Sequence, residues 1–127
     1  MGKARAKTGK GFFCTPTPTK NYETLVKELF FHKYGSIMLM GNIKATITAY
    51  FGLNKEDYGK KGLNKKGLDK LSGAIRPTKK PDIDNIEKII LDSLNGIAYK
   101  DDSQVVESNT SKHYAEKPRV EVVLERL

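Results

Sequence analysis

Between Asn21 and about Tyr34 the apolar residues Leu25, Val26, Leu29 and Phe30 recur at helical spacing, which puts them on one stripe of an α-helix. Asn21, with Thr24 nearby, supplies a start signal, so a core-facing helix is predicted over 21–34. The period then changes. Ile43, Ala45, Ile47, Ala49 and Phe51 alternate with Lys44, Thr46 and Thr48, the period of two that marks a half-buried strand, and 37–40 reads as its extension. A second helix is predicted at Asp84, because Pro81 discourages helix just before it, Asp84 suits an N-cap and Glu87 resembles the acidic half of a capping box. Ile86, Ile89, Ile90 and Leu94 form its buried stripe and Gly96 its stop. Val105-Val106 opens a strand, and 119–124 reads as a closing one.

Two stretches lack these periods. Residues 1–20 are basic and rich in Gly, Thr and Pro, the composition of a loop or arm. Residues 54–80 scatter Lys55, Lys60, Lys61, Lys65, Lys66, Lys70, Arg76, Lys79 and Lys80 among four glycines, and read as a mobile phosphate-binding segment. A short helix over 64–71 would there have Leu68 and Leu71 as a weak apolar face. Two main helices and a few strands in 127 residues with 38% hydrophobic content make one α+β domain over 1–127, a small mixed β-sheet packed with the helices. A dinucleotide domain with a separate substrate domain does not fit. Cys14 is the single cysteine, so no internal disulfide forms; without a signal peptide or a bilayer-length apolar run, the expected location is the cytoplasm.

Charge divides the chain. Residues 81–127 carry ten acidic and six basic side chains, against five acidic and seventeen basic in residues 1–80. A basic body beside an acidic patch suits a polyanionic partner such as nucleic acid. The acidic patch is Lys80-Pro81-Asp82-Ile83-Asp84-Asn85, with Lys88 shortly after, followed within twenty residues by Asp101-Asp102-Ser103-Gln104. Carboxylates about 5 Å apart would repel by roughly 3 kcal/mol per pair at an effective dielectric near 20, so a gathered cluster calls for a divalent cation. Lys88 and Asp92, four residues apart, share a helix face with Asp84 one turn earlier.

Other motifs fail. An EF-hand starting at Asp82 needs an oxygen ligand and a glycine where Ile86 and Glu87 stand. An acidic-x-Lys nuclease pattern fails as well, since Ile86, Ala98, Thr110 and Ala115 precede Lys88, Lys100, Lys112 and Lys117 by two. His32 and His113 are too isolated for zinc.

Taken together, Lys80-Pro81-Asp82-Ile83-Asp84-Asn85, Lys88, Asp92, Leu94-Asn95-Gly96, Asp101-Asp102-Ser103-Gln104-Val105-Val106, Lys112 and Pro118, with Thr15-Pro16 and Tyr22-Glu23 earlier, resemble the RusA family of Holliday junction resolvases. The resemblance implies magnesium-dependent phosphodiester hydrolysis, with Mn²⁺ as the alternative ion. It places the acidic active-site residues at Asp82, Asp84 and Asp102 and a further catalytic residue at Lys88; Asp101, which on an extended segment points away from the face shared by Asp102 and Gln104, is an alternative ligand. The resemblance also implies a homodimer acting on branched DNA; by their charge, Lys3, Arg5, Lys7 and Lys10 of the arm and Lys60, Lys61, Lys65, Lys66, Arg76, Lys79 and Lys80 are the candidate contacts to its phosphates. One departure is that the chain reaches its basic arm almost at once, so the sheet is expected to lack the family's first strand. The competing reading is a non-catalytic basic DNA-binding module that retains a vestigial acidic motif.

Overall fold

The alternating stretch becomes the central strand. The computed structural model describes residues 10–14, 22–35 and 38–127, with side chains described from Val26 onward. Strand β2 (Ile43–Phe51) lies in a four-stranded mixed sheet with β1 (Lys10–Cys14), β5 (Val105–Tyr114) and β6 (Arg119–Arg126), in the order β1-β6-β2-β5. Its inward row of Ile43, Ala45, Ile47 and Ala49 is buried, while the residues between remain partly exposed. A two-residue strand pair, β3 (Tyr58–Gly59) and β4 (Gly62–Leu63), makes a separate small sheet.

Helix α1 (Tyr22–Tyr34) runs almost where the periodicity predicts it and buries Val26 and Phe30. It packs on α3 (Ile83–Ser93), which buries Ile86 and Ile90, with Leu94 just beyond. Each of those aliphatic side chains contributes about 1.5–3 kcal/mol by leaving water. Direction matters more than burial for function. β2 pairs in parallel with β5 and antiparallel with β6, and parallel neighbours require a crossover. The chain returns over the sheet through α2 (Lys65–Ser72) and then α3. The C-terminal end of α3 therefore meets the start of β5, and its N-terminal end lies by the ends of β2 and β5.

Three expectations change. The arm is not all loop, since Lys10–Cys14 pairs antiparallel with β6 from Lys10↔Leu124 to Cys14↔Val120. The arm itself thus supplies an edge strand, because β6 offers an unpaired backbone row that outweighs the weak local pattern. Met38–Met40 is not strand; Leu39 is buried, and its N–H donates to the Ala98 carbonyl at 2.7 Å. Finally, α2 does not use Leu68 and Leu71, which are exposed, but buries Gly67 and Lys70.

That last difference explains why the lysine-rich stretch has structure. The Lys70 ammonium lies 2.9 Å from the Asp57 carboxylate, and both side chains are at least 95% buried. Asp57 also accepts the Asn54 N–H at 2.7 Å, and the Lys70 ammonium sits 4.7 Å from the centre of the Tyr114 ring on β5. Asn54 and Lys70 hold the Asp57 carboxyl below its usual range, and the Asp57 hydrogen bond raises Lys70. A buried ion pair thus does what an apolar stripe does in the other helices. Gly67 is required by closeness: a Cβ there would press on the Asp57 carbonyl and approach Leu63 Cδ2 to 2.8 Å.

Candidate active site

Asp82 and Asp84 begin α3, where both are exposed. Asp82, not Asp84, occupies the N-cap position, yet its side chain makes no capping hydrogen bond. Nor does Glu87 close a capping box. It reaches across to β5, where it accepts hydrogen bonds from Ser108 and, at 3.2 Å, from Thr110. The β5 hydroxyls outcompete the helix start for this carboxylate, and the first two aspartates stay free of that structural duty.

Two turns on, the polarity of the crossover produces a second acidic station. Asp102, in the 3-10 turn that precedes β5, shares a cleft with Asp92 near the end of α3. Lys88, Asp92, Asp102 and Ser108 line one cleft of about 270 Å³ with Leu91 and Val105. The Asp102 carboxyl is raised above its usual value, chiefly by the neighbouring Asp92 side chain, then by burial and the Asp101 and Asp92 charges; the Asn95 side chain partly opposes this. Asn95 Oδ1 is buried without a hydrogen-bond partner. Tyr99 lies below, fully buried, its hydroxyl donating to the Leu91 carbonyl at 2.6 Å. A larger hollow of about 420 Å³ lies elsewhere, between Phe51, Pro81, Ile86, Ile89 and Pro118, and is apolar.

Asp101 is turned to another task. Its carboxylate accepts the Ser103 N–H at 3.1 Å and caps the 3-10 turn, and these Ser103 bonds hold its carboxyl low. Gln104 completes the turn by accepting from the Lys100 and Asp101 amides and donating to the Leu39 and Gly41 carbonyls. The segment carrying Asp102 is thereby tied to the approach of β2.

The structure therefore brings Lys88 and Asp102 together and adds Asp92, while Asp82 and Asp84 stand at the other end of α3. Eight residues separate Asp84 from Asp92, about 12 Å along a helix axis. Among the described residues, no three His, Cys, Asp or Glu side chains are gathered so as to hold a metal ion. Asp92 and Asp102 share the cleft wall with Glu87 and Glu107, and this all-oxygen set fits a small hard cation that takes one or two carboxylates and keeps waters. Asp92 was foreshadowed by its helical spacing from Lys88; its pairing with Asp102 depends on the crossover and has no local signal.

The basic residues divide similarly. Lys3, Arg5 and Lys7 lie outside the described residues, as does the side chain of Lys10 at the start of β1. Lys60 and Lys61 form the exposed turn between β3 and β4. Lys65 and Lys66 are engaged by Asp69 and Glu56, each at 3.4 Å. Arg76 and Lys79 lie by the end of β5, where Arg76 Nε donates to the Lys112 carbonyl at 2.8 Å and the Lys79 ammonium sits 5.7 Å from the Phe51 ring centre. Lys80 is exposed beside them.

The sequence model of the family described as "Endodeoxyribonuclease RusA" matches residues 1–125. The chain belongs to the RusA endodeoxyribonuclease family. It is also 34% identical over 118 residues to the "Uncharacterized protein YqaN" of Bacillus subtilis (strain 168), covering 93% of this chain and 81% of that one. The RusA match runs through both acidic stations, the basic segment and β1. No helix among the described residues is long and apolar enough to cross a membrane.

Proposed function

We propose that the chain is a divalent-metal-dependent, structure-selective endodeoxyribonuclease that resolves four-way DNA junctions by phosphodiester hydrolysis. The observation that carries this reading is the cleft in which Asp92 and Asp102 are held against each other beside Lys88. Neither is ion-paired among the described residues, so the pair lacks a counter-charge that a cation would supply. Asp102 and Asp92 are the donors for it, with Mg²⁺ or Mn²⁺ as the ion. Such a cation polarises a scissile phosphate and lowers the pKa of an attacking water.

The remaining residues have separable tasks. Lys88, on the same face of α3 as Asp84 and Asp92, meets the phosphate and balances its charge. Asp82 and Asp84, uncommitted to capping, are the further acidic residues of the reaction, and Asp101 serves by fixing the turn that presents Asp102. The basic surface holds the junction arms. Two copies, as a cytoplasmic homodimer, would present two sites to the paired strands of a junction.

The test is an end-labelled four-way junction incubated with the protein, with and without Mg²⁺. Cleavage is expected only with the metal. Asp82→Asn, Asp84→Asn and Asp102→Asn should each abolish it while junction binding survives, because the amide keeps the shape and loses the charge. Binding by the parent without cleavage in any divalent metal would leave a non-catalytic DNA-binding module. Unchanged cleavage by the three variants would remove the metal site.

A further inference from the structure

The side of β5 that faces α3 presents Ser108, Thr110, Lys112 and Tyr114, in register with Ala45, Ile47, Ala49 and Phe51 of β2. Alternation puts these four on one side of the strand. β5 is the edge of its sheet, so this row borders the α3–β5 groove. At one end of the groove lies the Asp92–Asp102 cleft; at the other, cations collect. The Lys112 ammonium donates to the Lys79 carbonyl at 2.6 Å and lies 5.2 Å from the centre of the Phe51 ring, the ring that the Lys79 ammonium also approaches, at 5.7 Å. Arg76 locks this end by binding the Lys112 carbonyl and by contacting His113 Nε2 at 3.2 Å.

Arg76 and Lys79 come from one segment and Lys112 from another more than thirty positions away in sequence. Among the described residues none of them is ion-paired with a carboxylate. An aromatic ring offers two ammonium groups a weakly attractive seat, but it does not neutralise their mutual repulsion. An anion from outside would.

We propose that Lys112 and Lys79, seated on Phe51 and fixed by Arg76, form a phosphate-binding platform that receives the backbone of the DNA strand lying along the α3–β5 groove. The occupant follows from the junction-nuclease reading, on which this inference rests: a groove with metal-ligating oxygens at one end and cations at the other fits one polyanionic strand. Ser108 and Lys112 are four residues apart, about 13 Å along a strand. The platform is thus a station separate from the Asp102 cleft, and it should govern binding and register.

The experiment measures affinity for a fluorescent four-way junction across a salt series, using the full chain and Ca²⁺ in place of Mg²⁺. Lys112→Gln should weaken binding several-fold and reduce the slope of log K against log salt by about 0.9, the value of one phosphate contact. Lys112→Arg should restore both. Lys44→Gln, which removes the same charge from the other face of β2, should change neither. Lys79→Gln repeats the test on the same seat if Lys112→Gln proves unstable. Equal affinity and slope for the parent and both Gln variants would overturn the platform while leaving the nuclease reading in place, as would an equal loss in Lys44→Gln. If the parent itself shows no salt-dependent binding to DNA, the nuclease reading falls and the platform with it.

Discussion

Two of the charged pairs among the described residues are opposites. Asp57 and Lys70 are of unlike charge, buried, and held at 2.9 Å with a further hydrogen bond from Asn54. Asp92 and Asp102 are of like charge, partly exposed, and held together at the wall of a cleft. The first pair closes an otherwise weakly apolar segment of the chain. The second works against folding, since the charge of each carboxylate disfavours ionisation of the other. A pair that stabilises needs no ligand to account for it; a pair that opposes folding is accounted for by a ligand that removes the opposition. Each region can be broken in a way that leaves the other standing.

The largest effect on stability is expected from Asp57→Asn. It leaves a buried ammonium without its partner, and the melting temperature should fall on the order of 10 °C, measured by thermal denaturation followed by circular dichroism. Junction cleavage below that temperature should persist if α3 and β5 are unaffected. Next comes Gly67→Ala. Alanine favours a helix, but the added methyl meets the Asp57 backbone and Leu63, so a net loss of roughly 1–3 kcal/mol is expected from urea denaturation. A gain in stability would mean that α2 and the residues around Asp57 do not pack as described.

A smaller effect separates the lysines of the same segment. Lys60 and Lys61 are free at a turn, whereas Lys65 and Lys66 already face carboxylates. Such exposed pairs are worth at most about 1 kcal/mol, yet they reduce the charge offered to a phosphate. Lys60→Gln with Lys61→Gln should therefore lower the salt slope of junction binding more than Lys65→Gln with Lys66→Gln. Equal slopes would show that the ion pairs open freely on binding. The quadruple variant should still cleave at saturating protein.

How far this division could be read from the chain depends on range. Helix α1, strand β2 and the stripe of α3 were legible because their periods of 3.6 and 2 state which side is buried. Asp82, Asp84 and Lys88 stood out as a local motif. What stayed hidden needed partners distant in sequence: the pairing of Lys10–Cys14 with β6, the meeting of Asp57 with Lys70, and the recruitment of Glu87 by Ser108 and Thr110. Lys70 is instructive, because a lysine among lysines carries no mark that its ammonium will be buried. Asp92 was visible on the face of Lys88, while its contact with Asp102 follows from the parallel β2–β5 pairing and the return of α3 that it demands.

Acid should affect the two pairs in opposite directions. Asp57 has a lowered carboxyl, so its stabilisation is complete above the ordinary value of 3.8 and is lost as pH falls through its folded value. Asp102 is raised, so the metal-free protein gains relative stability from it as pH falls toward 3.8 and loses it as pH climbs through the raised value. The stability difference between Asp102→Asn and the parent should therefore shrink as the parent's Asp102 becomes protonated.

The central claim, that the like-charged pair is kept for a cation, is tested most directly by one thermal series: parent and Asp102→Asn, each in chelator and in millimolar Mg²⁺ or Mn²⁺. Metal that binds the native state must raise its melting temperature by mass action. The parent should be no more stable than Asp102→Asn in chelator and should rise with metal, whereas Asp102→Asn should be indifferent to it. If Asp102→Asn instead melts well below the parent without metal, as Asp57→Asn should, or if it rises with metal as far as the parent does, the pair is structural and the claim is wrong.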